Sequence, residues 1–171
     1  HAYAELVNAQ QIALGDSVNI CVPTGNFGNI LAAYYARGMG LPVARLICAS
    51  NANNVLTDFF ASGIYDRNRP FYTTISPSMD ILISSNLERL LYDLCDRDDR
   101  QLSAWMEALR TSGHYSIPDA LLAKIRTLFA AGMASEGETK ATIKHLFETY
   151  HYLCDPHTAV AVKVYDDYRE Q

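Results

Sequence analysis

Seven residues constrain this chain most: Pro23-Thr24-Gly25-Asn26-Phe27-Gly28-Asn29. They lie between an apolar, strand-like run, Val18 to Val22, and a stretch in which Phe27, Ile30, Leu31 and Tyr34 recur at helical spacing. A turn of this kind presents backbone N–H groups at a helix start, where unpaired donors and the positive end of the helix dipole converge. Gly25 and Gly28 permit close backbone approach, and Thr24, Asn26 and Asn29 add polar side chains. A phosphate dianion suits such a turn. A plain strand-to-helix connection also favours Pro, Gly and Asn, so the loop alone leaves both readings open. The pattern is neither Gly-x-Gly-x-x-Gly nor a Walker loop, which argues against a nucleotide.

The surrounding pattern is that of an α/β protein with an open, mainly parallel sheet flanked by helices. Residues 2–14 read as a helix and Val18 to Val22 as a strand. The helix from Phe27 is closed by Gly40 and Pro42. Val43 to Ala49 reads as a second strand, and Asn53 to Ser62 as a helix stopped by Gly63. The strand–helix alternation implies right-handed crossovers and parallel pairing. Phe71 to Ile75 is a candidate third strand. Ser76-Pro77, followed by Asp80, reads as the start of a helix whose apolar face carries Ile83, Leu87, Leu90, Leu91 and Leu94. The charge cluster 96–100 marks a surface boundary. Beyond it, helices carry Leu102, Trp105, Met106 and Leu109, then Leu121, Leu122, Ile125, Leu128 and Phe129. Ser135 and Glu138 form a capping box, and Asp155-Pro156 opens a last helix. The expected division is a 1–95 α/β portion with the loop, a 96–134 helical insertion, and a 135–171 helix–strand–helix return that completes the site.

With 171 residues, 49% of them hydrophobic and 19% charged, the chain can build a core. Its net charge of −5 argues against nucleic acid as a partner, and no apolar run reaches membrane-spanning length. Cys21, Cys48, Cys95 and Cys154 form no Cys-x-x-Cys pair. Reduced thiols, and hence the cytoplasm, are expected. None of the five histidines pairs with another histidine or a cysteine at metal-ligand spacing, and no metal site is expected.

Three further segments are candidates. In Asp155-Pro156-His157-Thr158, capping explains Asp155 and Pro156 but requires neither His157 nor Thr158, whose hydroxyl could donate to a heterocyclic nitrogen. Ser84-Ser85-Asn86 are unexpected within a helix, since Ser and Asn are mediocre helix formers. They face a ligand or another domain, or lie on the solvated side. Asn51, Asn53 and Asn54 follow a strand at the end where α/β sheets bind ligands, and also suit helix capping.

Val22 to Ala32 resembles the pyridoxal-phosphate phosphate loop of the threonine synthase family. Met39-Gly40-Leu41-Pro42, Ala49 to Asn54, Ser76 to Leu91 and Asp155 to Val160 resemble further stretches of that family, in its order. The resemblance implies a tryptophan-synthase-β-like fold (fold type II) with pyridoxal 5′-phosphate as cofactor. It implies a carbon–oxygen lyase that converts O-phospho-L-homoserine and water to L-threonine and phosphate. Carried over by position, Gly25, Asn26, Phe27, Gly28 and Asn29 would bind the cofactor, chiefly its phosphate. Thr158 would contact the pyridine nitrogen, leaving it less firmly protonated than a carboxylate would. Family members often carry Asp where Asn29 stands; an amide avoids a carboxylate beside the phosphate. The family's Schiff-base lysine precedes the phosphate loop, and none of Lys124, Lys140, Lys144 and Lys163 matches its motif. The chain is therefore expected to be a C-terminal piece that lacks its catalytic lysine and is inactive alone, its partner being the N-terminal part of the same enzyme. A serine/threonine dehydratase-like lyase of the same fold and a non-catalytic phosphate-binding module are the alternatives.

Overall fold

A computed structural model of the chain describes residues 1–170. Its centre is a three-stranded parallel sheet in the order β1 (Val18–Pro23), β2 (Val43–Ser50), β5 (Phe129–Met133). The parallel pairing follows from the helical crossovers. From β1 the chain runs through α2 (Gly28–Gly38) into β2. From β2 it passes α3 (Val55–Ser62) and returns much later through α6 (Asp119–Leu128) into β5. Helices cover both faces, so β2 is apolar on both sides, as a central parallel strand must be. Leu46 and Cys48 join Phe27, Ile30, Val55, Phe59 and Phe60 in the larger core. Ile47 and Ala49 face the other way, against Val160 and Val164 of α8 (Pro156–Arg169), on which α7 (Glu136–Tyr150) packs.

Most helix signals of the sequence mark real ends. Gly63 takes the left-handed conformation (φ 76°) and closes α3, with its N–H on the Phe59 carbonyl. Asp98 accepts from the N–H groups of Arg100 and Gln101 and starts α5 (Asp99–Thr111). Ser135 and Glu138 form the reciprocal capping box of α7. Asp155 caps α8 through the N–H groups of His157 and Thr158.

Four expectations are corrected. The first helix spans only Ala2–Asn8. Gln10 turns left-handed, no residue of the helix is buried, and the chain folds back so that Gly15 N–H reaches the Tyr3 hydroxyl at 2.8 Å. Residues 71–75 form no strand, because side chains satisfy their backbone. Asn53 brackets Tyr72 by accepting from its N–H (2.9 Å) and donating to its carbonyl (2.8 Å). Asp80 takes Thr74 N–H (2.9 Å), and Glu136 takes Ile75 N–H (3.1 Å). An unforeseen β3 (Ile64–Asp66) instead pairs antiparallel with β4 (His114–Ser116) as a separate ribbon.

The expected helix from Ser76 is only a 3-10 turn, Pro77–Met79, and α4 begins at Leu87 and ends at Leu94. Asp80 does not serve the helix start; its carboxylate is taken up by Asn51, Asn53 and Thr74. Finally, the stretch 96–134 is more than a helical insertion, since it supplies β5 to the central sheet, and 135–171 contains α7 and α8 with no strand between them among the described residues.

Candidate functional site

The loop after β1 sits where the sequence suggests, at the C-terminal edge of the sheet and the N-terminus of α2. Its shape is built from both sides. Phe27 stands immediately before α2 in the left-handed conformation (φ 65°, ψ 4°). That costs a non-glycine residue about 1–2 kcal/mol. Its ring is 1% exposed, stacked on Phe129 (5.9 Å between centroids) and tilted against Phe60 (6.1 Å). Burying a phenyl ring contributes about 1.5–3 kcal/mol, enough to offset the strained backbone.

The loop's carbonyls are anchored by the segment before α4. Ser84 Oγ donates to the Gly25 carbonyl (2.8 Å). Asn86 donates to the Asn26 carbonyl through its backbone N–H (3.1 Å) and through Nδ2 (2.7 Å). In a trans peptide the C=O and the following N–H point in opposite directions. Holding those two carbonyls therefore aims the N–H groups of Asn26 and Phe27 the other way. Among the described residues, no backbone or side-chain acceptor takes the N–H of Gly25, Asn26, Phe27, Gly28, Asn29 or Ile30. Consecutive free N–H groups around a left-handed residue make an anion-binding nest. This accounts for the Ser84-Ser85-Asn86 run, which lies outside any helix; two of its members brace the loop.

A cavity of about 240 Å³ opens over the loop, lined by residues 22–30 with Ser78, Met79 and His157. Gly25 is required by its roof: a Cβ there would stand 2.4 Å from the Ser78 carbonyl oxygen. The 76–80 segment is itself fixed by Asn51, whose Nδ2 reaches Asp80 (2.7 Å) and Ser76 Oγ (3.0 Å), and by Asn53 (3.1 Å to Asp80). Asn51 and Asn53 thus hold the roof rather than cap α3, and Asn54, the residue before α3, makes no side-chain cap.

The predicted site residues divide. Gly25, Asn26, Phe27, Gly28 and Asn29 all line the cavity. Thr24 does not offer its side chain to it; the hydroxyl donates to the Val22 carbonyl at 2.7 Å and the residue is buried. Thr158 lies in the first turn of α8, outside the cavity lining, and its hydroxyl donates to Asp155 Oδ2 at 2.6 Å. That bond is the main reason the Asp155 carboxyl is held down at about 2, against an ordinary 3.8. His157 does line the cavity, which its position two residues after a capping aspartate did not reveal. No lysine does. Lys140 and Lys144 pair with Glu136 and Glu148 on their own helix, Lys124 pairs with Asp96, and Lys163 pairs with Asp167 and Glu138. An anion here would meet backbone N–H groups and a helix dipole rather than a cationic side chain.

Elsewhere the chemistry is quiet. The four cysteines are free, and burial pushes the Cys21 and Cys48 thiols up to about 12. Among the described residues no His, Cys, Asp or Glu cluster is placed to hold a metal ion, and no helix is long and apolar enough to cross a membrane.

No protein-family model matches the sequence. Individual relatives do. Human threonine synthase-like 1 is 48% identical over 166 residues, covering 96% of this chain and 22% of the relative. Threonine synthase of Pseudomonas aeruginosa is 43% identical over 147 residues, covering 86% of this chain and 31% of the relative. The crystal structure of pyridoxal-phosphate-bound threonine synthase from Brucella melitensis superposes with a TM-score of 0.90 at 42% identity, covering 96% of this chain and 35% of that one. The chain thus spans between a fifth and about a third of the length of the proteins it matches. Over the segment that it spans, this chain is similar in sequence and in fold to threonine synthases and has the corresponding part of their fold type II architecture.

Proposed function

We propose that this chain grips the phosphate of pyridoxal 5′-phosphate through Gly25, Asn26, Phe27, Gly28 and Asn29. We further propose that the enzyme containing it converts O-phospho-L-homoserine and water to L-threonine and phosphate. One observation carries the first part: among the described residues, six consecutive N–H groups, Gly25 to Ile30, lack an acceptor while Ser84 and Asn86 hold the neighbouring carbonyls away. The donor set is chemically right for a phosphate, being N–H groups at a helix start with no carboxylate lining the cavity. The roof over Gly25 leaves no room for a Cβ, as a close-fitting cradle requires. The second part rests on the similarity to threonine synthases.

When bound, pyridoxal phosphate supplies an electron sink, and the protein supplies grip and orientation. The loop fixes one end of the cofactor. Thr158 is proposed to meet the pyridine nitrogen. Because its proton is directed to Asp155, its oxygen offers lone pairs rather than a proton, an arrangement that suits a protonated ring nitrogen. This differs from the donor role that the sequence suggests for the hydroxyl. The covalent anchor is proposed to lie outside this chain, since all four lysines are held in ion pairs away from the cavity. The same observation favours a second reading, in which the chain alone is a phosphate-binding module without chemistry.

The test uses two ligands. Pyridoxine 5′-phosphate, which has no aldehyde, is expected to bind the chain and to be displaced by inorganic phosphate; absence of binding overturns the loop assignment. Borohydride after pyridoxal phosphate is expected to label none of the four lysines stoichiometrically. Phosphohomoserine given to the whole gene product is expected to yield equal amounts of threonine and phosphate. Phosphate without threonine, or no turnover, refutes the assigned reaction.

A further inference from the structure

His157 joins three parts of the molecule that the phosphate-loop reading leaves separate. Its Nδ1 lies 3.0 Å from Asp155 Oδ1. Its Nε2 lies 3.2 Å from the backbone nitrogen of Ser78, across 79 residues of sequence. The Ser78 carbonyl, in turn, is the group that presses on Gly25. Ser78 is thus held on its N–H side by α8 and abuts the phosphate loop on its C=O side.

The hydrogen-bond roles are determined by elimination. The Ser78 N–H can only donate, so Nε2 must present its lone pair. Asp155, a carboxylate kept ionised by its own hydrogen bonds, can only accept, so Nδ1 carries the proton. The ring is neutral and its tautomer is fixed from both ends. Helix capping does not require this. Asp155 already caps α8 through the N–H groups of His157 and Thr158, and any residue at position 157 supplies that N–H.

We propose that His157 is a positioning residue for the cofactor site: its neutral ring, oriented by Asp155, clamps Ser78 as the roof of the phosphate loop. The proposal rests on the reading that the loop binds a phosphate. Without the clamp, Ser78 loses its hydrogen-bonded tie to α8, while Met79 stays packed against Val160 and Val164 and Asn51 and Asn53 still hold Asp80, so the loss falls on the placing of the Ser78 peptide against Gly25 and not on the whole segment.

Two measurements test it. Nitrogen NMR of the unaltered chain at neutral pH is expected to show His157 protonated at Nδ1 and bare at Nε2; the opposite tautomer, or a ring exchanging freely between the two, overturns the clamp. The second is affinity for pyridoxine 5′-phosphate in His157→Gln and His157→Asn. The Gln amide oxygen can reach the place of Nε2, whereas the Asn side chain ends near the place of Nδ1. The Asn variant is expected to lose about fivefold to tenfold, the worth of one hydrogen bond, and the Gln variant to stay within about twofold of the original. Equal affinities for both variants overturn the clamp. If the unaltered chain binds no pyridoxine 5′-phosphate, the phosphate reading fails instead, and the tautomer measurement still decides whether the ring is held. The same holds if the Asn variant does not fold.

Discussion

A single methyl group at position 25 tests the packing that shapes the loop. In Gly25→Ala the Cβ would stand 2.4 Å from the Ser78 carbonyl oxygen, 3.4 Å from Met79 Cα and 3.5 Å from the Ser78 carbonyl carbon. Relief requires the loop and the 76–80 segment to separate by about 1 Å, against a tightly packed wall. That wall has little freedom to move. Ser76 and Met79 are 1% and 2% exposed, and the Asp80 carboxylate accepts from Asn51, Asn53 and Thr74. Overpacking of this kind costs about 1–3 kcal/mol. For a chain of this size that lowers the melting temperature by roughly 2–10 °C. Binding suffers separately, because each N–H displaced from a charged acceptor forfeits about 1.5–3 kcal/mol, a loss of about tenfold or more in affinity for pyridoxine 5′-phosphate. Gly28→Ala is the control. Its Cβ would meet only Asn86 Nδ2, at 3.7 Å, an ordinary contact. Its stability is expected to change by less than about 0.5 kcal/mol. Thermal unfolding and a ligand titration on both variants decide the matter. If Gly25→Ala and Gly28→Ala melt and bind alike, the close-roof argument is wrong.

Other perturbations probe the supports. Asp155 has a folded-state pKa of about 2, below its ordinary 3.8, so its contribution to stability is present above about pH 4 and is lost as pH falls towards 2. Asp155→Asn, which keeps a capping side chain, is expected to abolish that acid-side loss. The side chain is 58% exposed, so the effect is about 0.5–1 kcal/mol after solvent screening. Denaturant titrations from pH 2 to pH 6 measure it, and identical profiles for the two proteins would count against the cap. Phe27→Ala is expected to cost about 3–5 kcal/mol in urea unfolding, because the ring stacked on Phe129 is lost while the left-handed backbone remains; a loss below about 1 kcal/mol would show that the ring does not hold the turn. Asp80→Ala leaves the buried amides of Asn51 and Asn53 without their carboxylate and is expected to cost about 1–3 kcal/mol. Faster amide exchange at Tyr72 and Thr74 should accompany it, and unchanged exchange there would contradict the bracing role.

Local signals were legible wherever the chemistry is local. The strand–turn–helix about Gly25, the Gly63 stop, the Ser135–Glu138 box and the Asp155 cap depend on residues within a few positions of one another, and each stands where the pattern puts it. Residues 71–91 were misread because their backbone partners are distant side chains. Propensity suggests a strand and then a long helix, yet Asn53, Asp80 and Glu136 take the N–H groups of Tyr72, Thr74 and Ile75, and His157, the Tyr65 hydroxyl and the Asn26 carbonyl take those of Ser78, Ser84 and Asn86.

By itself the sequence determined that a strand would feed a helix through Thr24 to Asn29, with glycine where the backbone needs room. It also determined that no lysine precedes that loop in this chain. Only the tertiary structure decided what the loop offers. Its free N–H groups are directed by bonds from Ser84 and Asn86, about 60 residues away, its roof is set by Ser78, and His157 reaches that roof from α8. A peptide's orientation follows from where its carbonyl is held, and in this loop the holders come from elsewhere in the chain.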